Sequence, residues 1–410
     1  MSTLHERKKH HASQSVDASD TPRKRRKSRG PWGDLFGAVV AIVAFLSVGL
    51  SLAYFLLNHR HQMSIGHVFH TAAPPRFVTV LLPSVVRPSA RSDRLHAIYE
   101  TWGPRSRAIV VTHNLTEVPP HTPNALEATP STPFPQYLLV PPNITVDDGV
   151  PRLNYVMRAI FEHVNPDFAF FANDHTFVIP EHVCKYLHLR NPDEDLYAGH
   201  AMKSGKTDVF NSGAAGYFLS RATMSKIVER LDRKDPQCYL DKDNSTPWLQ
   251  GNPGLVTVRC LKSFGVEAFD TRAKKKYHRF HAFPITRVVT GNVDEWYKNK
   301  HDGAAERLHT DPSYDKLLPG MDCCSTDTIS FHYVEKKECL ALFRIRETLL
   351  EHPRLTFNEV KNMIVHEWPS DRSESGFYSH PHPKEDELEH WKNFIGVLRR
   401  ISTRETRHEC

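Results

Sequence analysis

The chain has no excess of basic charge outside its first thirty residues. Those residues carry nine Lys and Arg against three Asp and Glu, which accounts for the whole formal charge of +6. The remaining 380 residues are therefore close to neutral. Because nucleic-acid binding needs a concentrated basic surface, this distribution argues against nucleic acid as a partner of the folded part.

The cysteines include no Cys-x-x-Cys pair, the spacing that is typical of a structural zinc site. The seven cysteines are Cys184, Cys238, Cys260, Cys323, Cys324, Cys339 and Cys410. In an oxidising compartment, cysteines without metal-ligand spacing form disulfides. The sequence therefore predicts disulfides rather than zinc for a body that lies in such a compartment.

Charged residues are also absent from a run of 23 residues, 35–57. At about 1.5 Å per residue, a helix of this length crosses a hydrocarbon core of roughly 30 Å. The basic cluster RKRRKSR at 23–29 favours keeping the N-terminus in the cytosol. A cleaved signal peptide is the alternative, but the run is long and far from the N-terminus. We predict a single-pass type II membrane protein, with a cytoplasmic tail at 1–34, a membrane span at 35–57, a stem at 58–75 and a lumenal body.

Sequons for N-glycosylation agree with a lumenal body. They begin at Asn114 and Asn143, and a third at Asn244 is followed closely by Pro247. We therefore expect Asn114 and Asn143 to carry glycans, while Pro247 weakens the third site.

From residue 76 onward, the hydrophobic pattern predicts an α/β domain. The run RFVTVLLPSVV at 76–86 is typical of a strand buried on both faces. A helix follows over 89–103, and the second strand is RAIVVTH at 107–113. These elements form a βαβ unit. The Pro-rich and Thr-rich segment 117–143 is expected to be a surface loop.

A second helix and strand lead to a polar turn. Residues 151–164 have the period of an amphipathic helix, and DFAFFAND at 167–174 reads as a buried strand. Asn173, Asp174 and His175 therefore lie at the carboxyl end of a strand, where open α/β sheets bind ligands. A solvated turn without a ligand is the alternative interpretation.

Five separated segments carry a resemblance to a known family. In chain order they are AIYETWG at 97–103, ANDHTFV at 172–178, NSGAAGYFLS at 211–220, CLKSFGVEAFDTR at 260–272 and CCSTDTISFHYV at 323–334. They resemble family 31 glycosyltransferases, and most closely the members that transfer galactose to N-acetylgalactosamine on glycoproteins. The resemblance covers roughly residues 76–345, and its most specific part is the last segment.

The resemblance implies a GT-A fold, a Rossmann-like α/β/α sandwich, over residues 76–345. A helical C-terminal extension is expected over 346–410, with two amphipathic helices joined by a polar loop. The implied reaction is the inverting transfer of galactose from UDP-galactose to N-acetylgalactosamine, with a β-1,3 linkage. The family also contains a non-catalytic chaperone that lacks the acidic triplet, so an inactive protein that binds another protein or a sugar is the alternative. The sequence leaves a homodimer open.

The resemblance also implies a Mn²⁺ ion that neutralises the departing diphosphate. Asn173, Asp174 and His175 occupy the three acidic positions of the family, and His332 occupies its ligand histidine. Asp174, His175 and His332 could together form a weakened metal site, or the site is empty. Asn173, Asp174 and Arg94 are assigned to binding of the nucleotide sugar.

An inverting transferase needs a base that takes the proton of the acceptor hydroxyl. Pro253 and Gly254 stand where the family has an acidic pair, so the usual base is missing. Asp270 and Glu267 match other acidic positions, and Asp241 and Asp243 lie upstream. Asp270 is the candidate that we assign, and a surface or structural carboxylate is the alternative for each of them. Trp296 and Tyr217 are the expected acceptor contacts, through stacking on a sugar.

Four of the cysteines match the family pattern, namely Cys238, Cys260, Cys323 and Cys324. Adjacent cysteines rarely bond each other. We therefore expect Cys323 and Cys324 to pair with Cys238 and Cys260, in one of two arrangements.

Overall fold

A computed structural model describes part of the chain. The described residues are 76–84, 88–129, 131–204, 208–239, 253–273, 277–295, 297–299, 317–368, 382–384 and 387–403. All of them belong to the compact unit Ala73–Cys410. The predicted tail, membrane span and stem, residues 1–75, lie outside the described residues. Within the described ranges, no helix is both long and apolar enough to cross a membrane.

The described strands and helices alternate along the first part of the chain, and helices follow at its end. The strands are β1 Phe77–Leu82, β2 Ala108–Thr112, β3 Gln136–Leu139, β4 Phe168–Asn173, β5 Phe177–Val178, β6 Tyr197–Gly199, β7 Ala201–Ser204, β8 Asp208–Asn211, β9 Tyr217–Ser220, β10 Phe269–Asp270, β11 Phe280–His281 and β12 Ser330–Phe331. The helices are α1 Arg91–Glu100, α2 Gly149–Ala159, α3 Pro180–Leu187, α4 Arg221–Asp232, α5 Pro253–Lys262, α6 Ile285–Thr290, α7 Lys336–Glu351, α8 Phe357–Glu367 and α9 Leu388–Ile401.

The main sheet has the strand order β10-β6-β9-β4-β1-β2-β3. Strands β3, β2, β1 and β4 are parallel, whereas β9 runs antiparallel to both of its neighbours. The order 3-2-1-4 matches the first half of a Rossmann-like sheet and the first strand of its second half, and in such sheets ligands bind where the strand order reverses. The fold is therefore a mixed α/β fold with a parallel, Rossmann-like half, and the reversal lies between β1 and β4.

Strand β1 is buried on both faces because its residues are apolar without alternation. Phe77 and Leu81 face a core that also holds residues of α1 and of the C-terminal helices α7 to α9. Val78 and Val80 face a second core with residues of α2, α4 and α5. Two helical layers therefore cover the sheet, which is the arrangement expected for a parallel sheet.

The C-terminal helices belong to the first of these cores. Ile345 of α7, Ile364 of α8 and Trp391 of α9 are fully buried in the same cluster as Phe77 of β1. The segment 346–410 thus contributes to the packing of the sheet, and position 346 lies inside α7. Helix α8 replaces part of the polar loop that we expected there, because its capping box and the buried Val360 and Ile364 stabilise a short helix.

The expectation of a surface loop over 117–143 is wrong for part of that segment. Residues 136–139 form β3, which pairs in parallel with β2. The strand has only four residues and is flanked by Pro135 and Pro141, so its signal in the sequence is weak. Its position is fixed by backbone hydrogen bonds to β2 rather than by its own pattern.

The expected disulfide pairing is also wrong, although all four cysteines form disulfides. Cys238 is bonded to Cys260, and Cys323 is bonded to its neighbour Cys324. Cys238 and Cys260 lie in the core beside α4 and α5, whereas the adjacent pair lies in the core on the other side of the sheet. The sheet separates the two pairs, so the crossed arrangements cannot form.

Trp391→Ala tests whether α9 is part of the folded unit. The side chain is fully buried, and its Nε1 donates a hydrogen bond to the Lys384 carbonyl at 2.8 Å. We expect the free energy of unfolding to fall by about 3–5 kcal/mol, measured by denaturant titration. Leu388→Ala on the same helix is the control, because Leu388 is 54% exposed. Similar small losses for the two variants would contradict the role of α9 in the core.

Candidate functional site

Two of the segments that carry the resemblance lie side by side. Strand β5, after the polar turn, pairs antiparallel with β12, and Phe177 lies opposite Phe331. The Val334 N–H donates a hydrogen bond to the His175 carbonyl at 2.9 Å. The turn at 173–176 and the segment 332–335 therefore form one polar cluster at the carboxyl end of β4.

This cluster lies at the reversal of strand order. In the pairing of β1 with β4, Leu82 lies beside Asn173, so the residues that follow both strands come together. The Ser84 N–H, just after β1, donates to Asp174 Oδ1 at 2.8 Å. The predicted position of the site at a ligand-binding edge of the sheet agrees with this geometry.

Asp174 is held by an arginine of α1. Arg94 Nη2 lies 2.6 Å and Arg94 Nε 3.1 Å from Asp174 Oδ2. Asp174 is 3% exposed and Arg94 is 1% exposed. With the bond from Ser84, both carboxylate oxygens of Asp174 are engaged inside the protein. The structure thus brings together Arg94 and Asp174, two residues predicted for the nucleotide sugar, as an ion pair.

A second arginine of α1 extends the cluster. Arg91 Nε lies 3.9 Å from Asp174 Oδ2, and Arg91 Nη2 donates to the Ser84 carbonyl at 2.8 Å. Its Nη1 lies 2.8 Å from Oε1 of Glu117, whose other oxygen accepts from Thr112 Oγ1. Arg91 therefore ties the ends of β1 and β2 to α1.

Glu335 joins the cluster from the other side, and sequence reasoning missed it. Glu335 Oε2 lies 3.5 Å from Arg94 Nη1, and Glu335 Oε1 lies 3.5 Å from His175 Nδ1. Glu335 also begins α7 in a capping box with Glu338. The available signal in the sequence was a pair of glutamates three residues apart at the start of a helix. This spacing predicts a helix cap and not a contact with Arg94.

The two predicted metal-binding histidines are close to each other and fully enclosed. The rings of His175 and His332 have centroids 6.0 Å apart, and the residues are 1% and 3% exposed. His332 Nδ1 lies 3.4 Å from Thr176 Oγ1. Burial, followed by electrostatic interactions with His175 and Arg94, holds the pKa of His332 well below its usual value. The His332 imidazole is therefore neutral at physiological pH.

Asn173 shapes the turn. Its Oδ1 accepts hydrogen bonds from the His175 N–H at 3.0 Å and from Thr176 Oγ1 at 3.2 Å. Such contacts are typical of an Asx turn. A role of Asn173 in binding the nucleotide sugar stays a prediction.

The other predicted residues lie apart from this cluster. Asp270, at the end of β10 on the sheet edge, accepts hydrogen bonds from Arg272 Nε at 2.8 Å and Nη2 at 2.5 Å. Tyr217 is buried against Phe171 in the second core, and burial raises the pKa of its hydroxyl. Trp296 lies outside the described residues. The roles of Asp270 and Tyr217 stay predictions, although the burial of Tyr217 leaves it no exposed face for a sugar.

The predicted glycosylation sites are accessible. Asn114 and Asn143 are exposed on loops, Asn114 directly before a short 3₁₀ helix. Their exposure is what an attached glycan requires, and the attachment itself stays a prediction.

The side chains of the cluster do not fit a divalent cation. A Mn²⁺ ion needs free carboxylate oxygens, yet Asp174 already accepts from Ser84 and Arg94. Among the residues that the structure describes, no group of three or more His, Cys, Asp and Glu side chains is arranged to hold a metal ion. We therefore assign no chemical step to a metal at this cluster.

The chain is thus a Rossmann-like α/β protein with a polar cluster at the carboxyl end of β4, where the strand order reverses. No protein-family profile matches the chain. The chain is 26% identical over 180 residues to the glycoprotein-N-acetylgalactosamine 3-beta-galactosyltransferase 1 of Xenopus laevis. The aligned part is 43% of this chain and 44% of that relative, so the chain spans less than half the length of the relative it matches. The match supports a relationship to galactosyltransferases.

Asp174→Asn tests the ion pair. The substitution removes the nearer carboxylate of the buried Arg94 and leaves only Glu335 at 3.5 Å, so we expect a loss of up to about 3–5 kcal/mol in the free energy of unfolding, measured with denaturant. Asp232→Asn is the matched control, because Asp232 pairs with Arg158 at the surface and should lose less than about 1 kcal/mol. Equal losses would mean that Asp174 is not held as described.

His182 of α3 gives a test based on pH. It is fully buried, its Nδ1–H donates to the Thr328 carbonyl at 2.5 Å, and burial lowers its pKa from 6.5 to about 4. Between these two values the unfolded chain binds a proton that the folded protein does not. Stability should therefore fall as the pH drops from about 6.5 to about 4, by up to about 3 kcal/mol from this group.

The variant His182→Asn keeps a donor near the Thr328 carbonyl but cannot titrate. We expect it to show a smaller loss of stability than the wild type over this pH range, in denaturant titrations at several pH values. His366→Asn is the control, since the His366 side chain is 86% exposed. An unchanged pH dependence in His182→Asn would exclude His182 as the source.

Proposed function

We propose that this protein is a galactosyltransferase with a GT-A architecture. In this proposal it moves galactose from UDP-galactose to N-acetylgalactosamine on a glycoprotein, with inversion and a β-1,3 linkage. One observation carries the proposal. Two segments that resemble family 31, at 172–178 and 330–334, meet at the ligand edge of a Rossmann-like sheet. The galactosyltransferase relative supports the same reaction class.

The proposed setting is the lumenal side of the Golgi or ER membrane. The uncharged run at 35–57 and the basic cluster before it support a type II anchor. The exposed sequons at Asn114 and Asn143 and the disulfides of the folded body agree with a lumenal compartment.

In the proposed reaction, the acceptor hydroxyl attacks the anomeric carbon of galactose. The bond from that carbon to the diphosphate breaks, and UDP leaves with the electron pair. The hydroxyl proton goes to a base, for which Asp270 is the proposed group. Arg272 contacts both oxygens of Asp270 and holds the carboxylate in place at the end of β10.

Three buried arginines lie near the sheet edge, and two of them, Arg91 and Arg94, are paired with carboxylates of the protein. Arg91, Arg94 and Arg152 lie close enough to Asp174 to interact with its charge. The charge of Arg152 on α2 is also opposed by Arg91, and burial lowers its pKa. Fixed cations of this kind stabilise charge that develops on a departing diphosphate.

A non-catalytic protein that binds a client protein or a sugar is the second candidate. The observation in its favour is that Arg94 and Ser84 engage both oxygens of Asp174. The one carboxylate that remains in the polar turn is then used for structure. A fold can be kept while its chemistry is lost.

The test is transfer of galactose from UDP-galactose to a peptide that carries N-acetylgalactosamine, followed by mass spectrometry. We expect the full-length protein to form the disaccharide. Asp270→Asn should lower the rate by about 10²–10⁴-fold, the range for loss of a general base. Glu267→Gln is the control, because Glu267 is an exposed carboxylate on the same segment.

An absence of transfer under conditions in which a known galactosyltransferase works would contradict the proposal. Specific binding of a client glycoprotein by the same preparation would then favour the second candidate.

A further inference from the structure

The guanidinium of Arg94 lies between two carboxylates. Its Nη2 is 2.6 Å from Asp174 Oδ2, and its Nη1 is 3.5 Å from Glu335 Oε2. The other oxygen of Glu335 lies 3.5 Å from His175 Nδ1. A cation thus sits between an aspartate and a glutamate, with an imidazole beside them.

A divalent cation bound by Asp174 would compete with Arg94 for the same carboxylate. A metal ion bound by Asp174 and a neighbouring histidine would need the carboxylate oxygen that now accepts two bonds from Arg94. It would also have to approach the charge of Arg94. Two positive charges a few ångströms apart inside a protein repel each other strongly, because the protein interior screens charge only weakly.

Arg94 has no simple way to move aside. It is 1% exposed and lies on α1, which packs through Leu95 and Ile98 in the main core. Both of its carboxylate partners are almost fully enclosed, with side-chain exposures of 2% and 11%. Leaving them without a cation would cost several kcal/mol. The arginine is therefore a permanent part of the cluster.

We infer that Arg94 takes the place of a divalent cation at the polar turn, so that the protein neither binds nor requires Mn²⁺ there. The inference concerns the polar cluster to which the proposed function is assigned. It rests on that function only for the choice of metal. Asp174, His175 and Glu335 then surround an arginine and do not act as metal ligands.

The first measurement is titration of the full-length wild-type protein with Mn²⁺ alone, by calorimetry and by thermal unfolding with and without chelator. We expect no stoichiometric binding at the turn and the same unfolding midpoint in both conditions. Stoichiometric binding that disappears in Asp174→Asn would overturn the inference. Binding that Asp174→Asn does not change lies elsewhere and leaves the inference standing.

The second measurement uses Arg94→Met, which removes the cation that contacts both Asp174 and Glu335 and leaves Arg91, at 3.9 Å, as the nearest arginine to Asp174. We expect this variant to be less stable and to gain Mn²⁺ binding, so that its unfolding midpoint rises with the Mn²⁺ concentration. If the variant does not fold alone, refolding that depends on added Mn²⁺ reports the same gain. No effect of Mn²⁺ on either its stability or its refolding would contradict the exchange of one cation for the other.

Arg346→Met is the matched control. Arg346 is 2% exposed and pairs with Glu181 at 2.9 Å and Glu347 at 3.2 Å, so its removal also takes a buried cation from two carboxylates, which then keep only their contacts with Arg105. We expect a loss of stability without a gain of Mn²⁺ binding. A similar gain in this variant would mean that any unpaired carboxylate recruits the metal.

The outcomes separate this inference from the proposed function. Galactose transfer that stops with chelator and in Asp174→Asn would support the transferase and overturn the inference. A wild-type protein that binds no Mn²⁺ at the turn and transfers no galactose would support the inference and contradict the transferase. Transfer that continues in the presence of chelator would agree with both.

Discussion

The ion pair between Arg94 and Asp174 is the contact on which the arrangement of the site depends. It joins α1 to the carboxyl end of β4, and the bond from Ser84 adds the end of β1. Through Glu335 it also reaches the first turn of α7. A buried charge is costly unless it is paired and hydrogen-bonded, so separating these elements would leave Arg94 or Asp174 without its partner. The polar cluster therefore has a structural role, because it holds α1, β1, β4 and α7 together.

This constraint changes what the resemblance to glycosyltransferases means. Residues 172–178 resemble the family's acidic turn, and the segment after strand β12 brings His332 beside it. The chemical environment is different, because an arginine supplies the positive charge. The same fold can thus hold a polar cluster at the same edge with or without a metal, and function must be judged from the cluster itself.

Much of the fold could be predicted from the sequence, because it depends on local patterns. The continuous apolar runs of β1 and β4 and the apolar stripe of α1 mark buried elements whatever their partners are. Strand β3 could not be predicted well, because four residues carry too little pattern and its pairing with β2 comes from a distant segment. The predicted disulfide pairing was wrong for a similar reason, because the tertiary fold determines which cysteines lie on the same side of the sheet.

By itself, the sequence determined the α/β class, the polar turn at the end of a strand and the relationship to galactosyltransferases. It also placed Asp174, His175 and His332 among the residues of interest. Only the tertiary structure decided that Arg94, 80 residues before Asp174, is the partner of that carboxylate. Glu335 joins them from still further along the chain. Local patterns describe which faces are buried, but the partner of a buried charge is set by which distant segments the packing brings within a few ångströms of it.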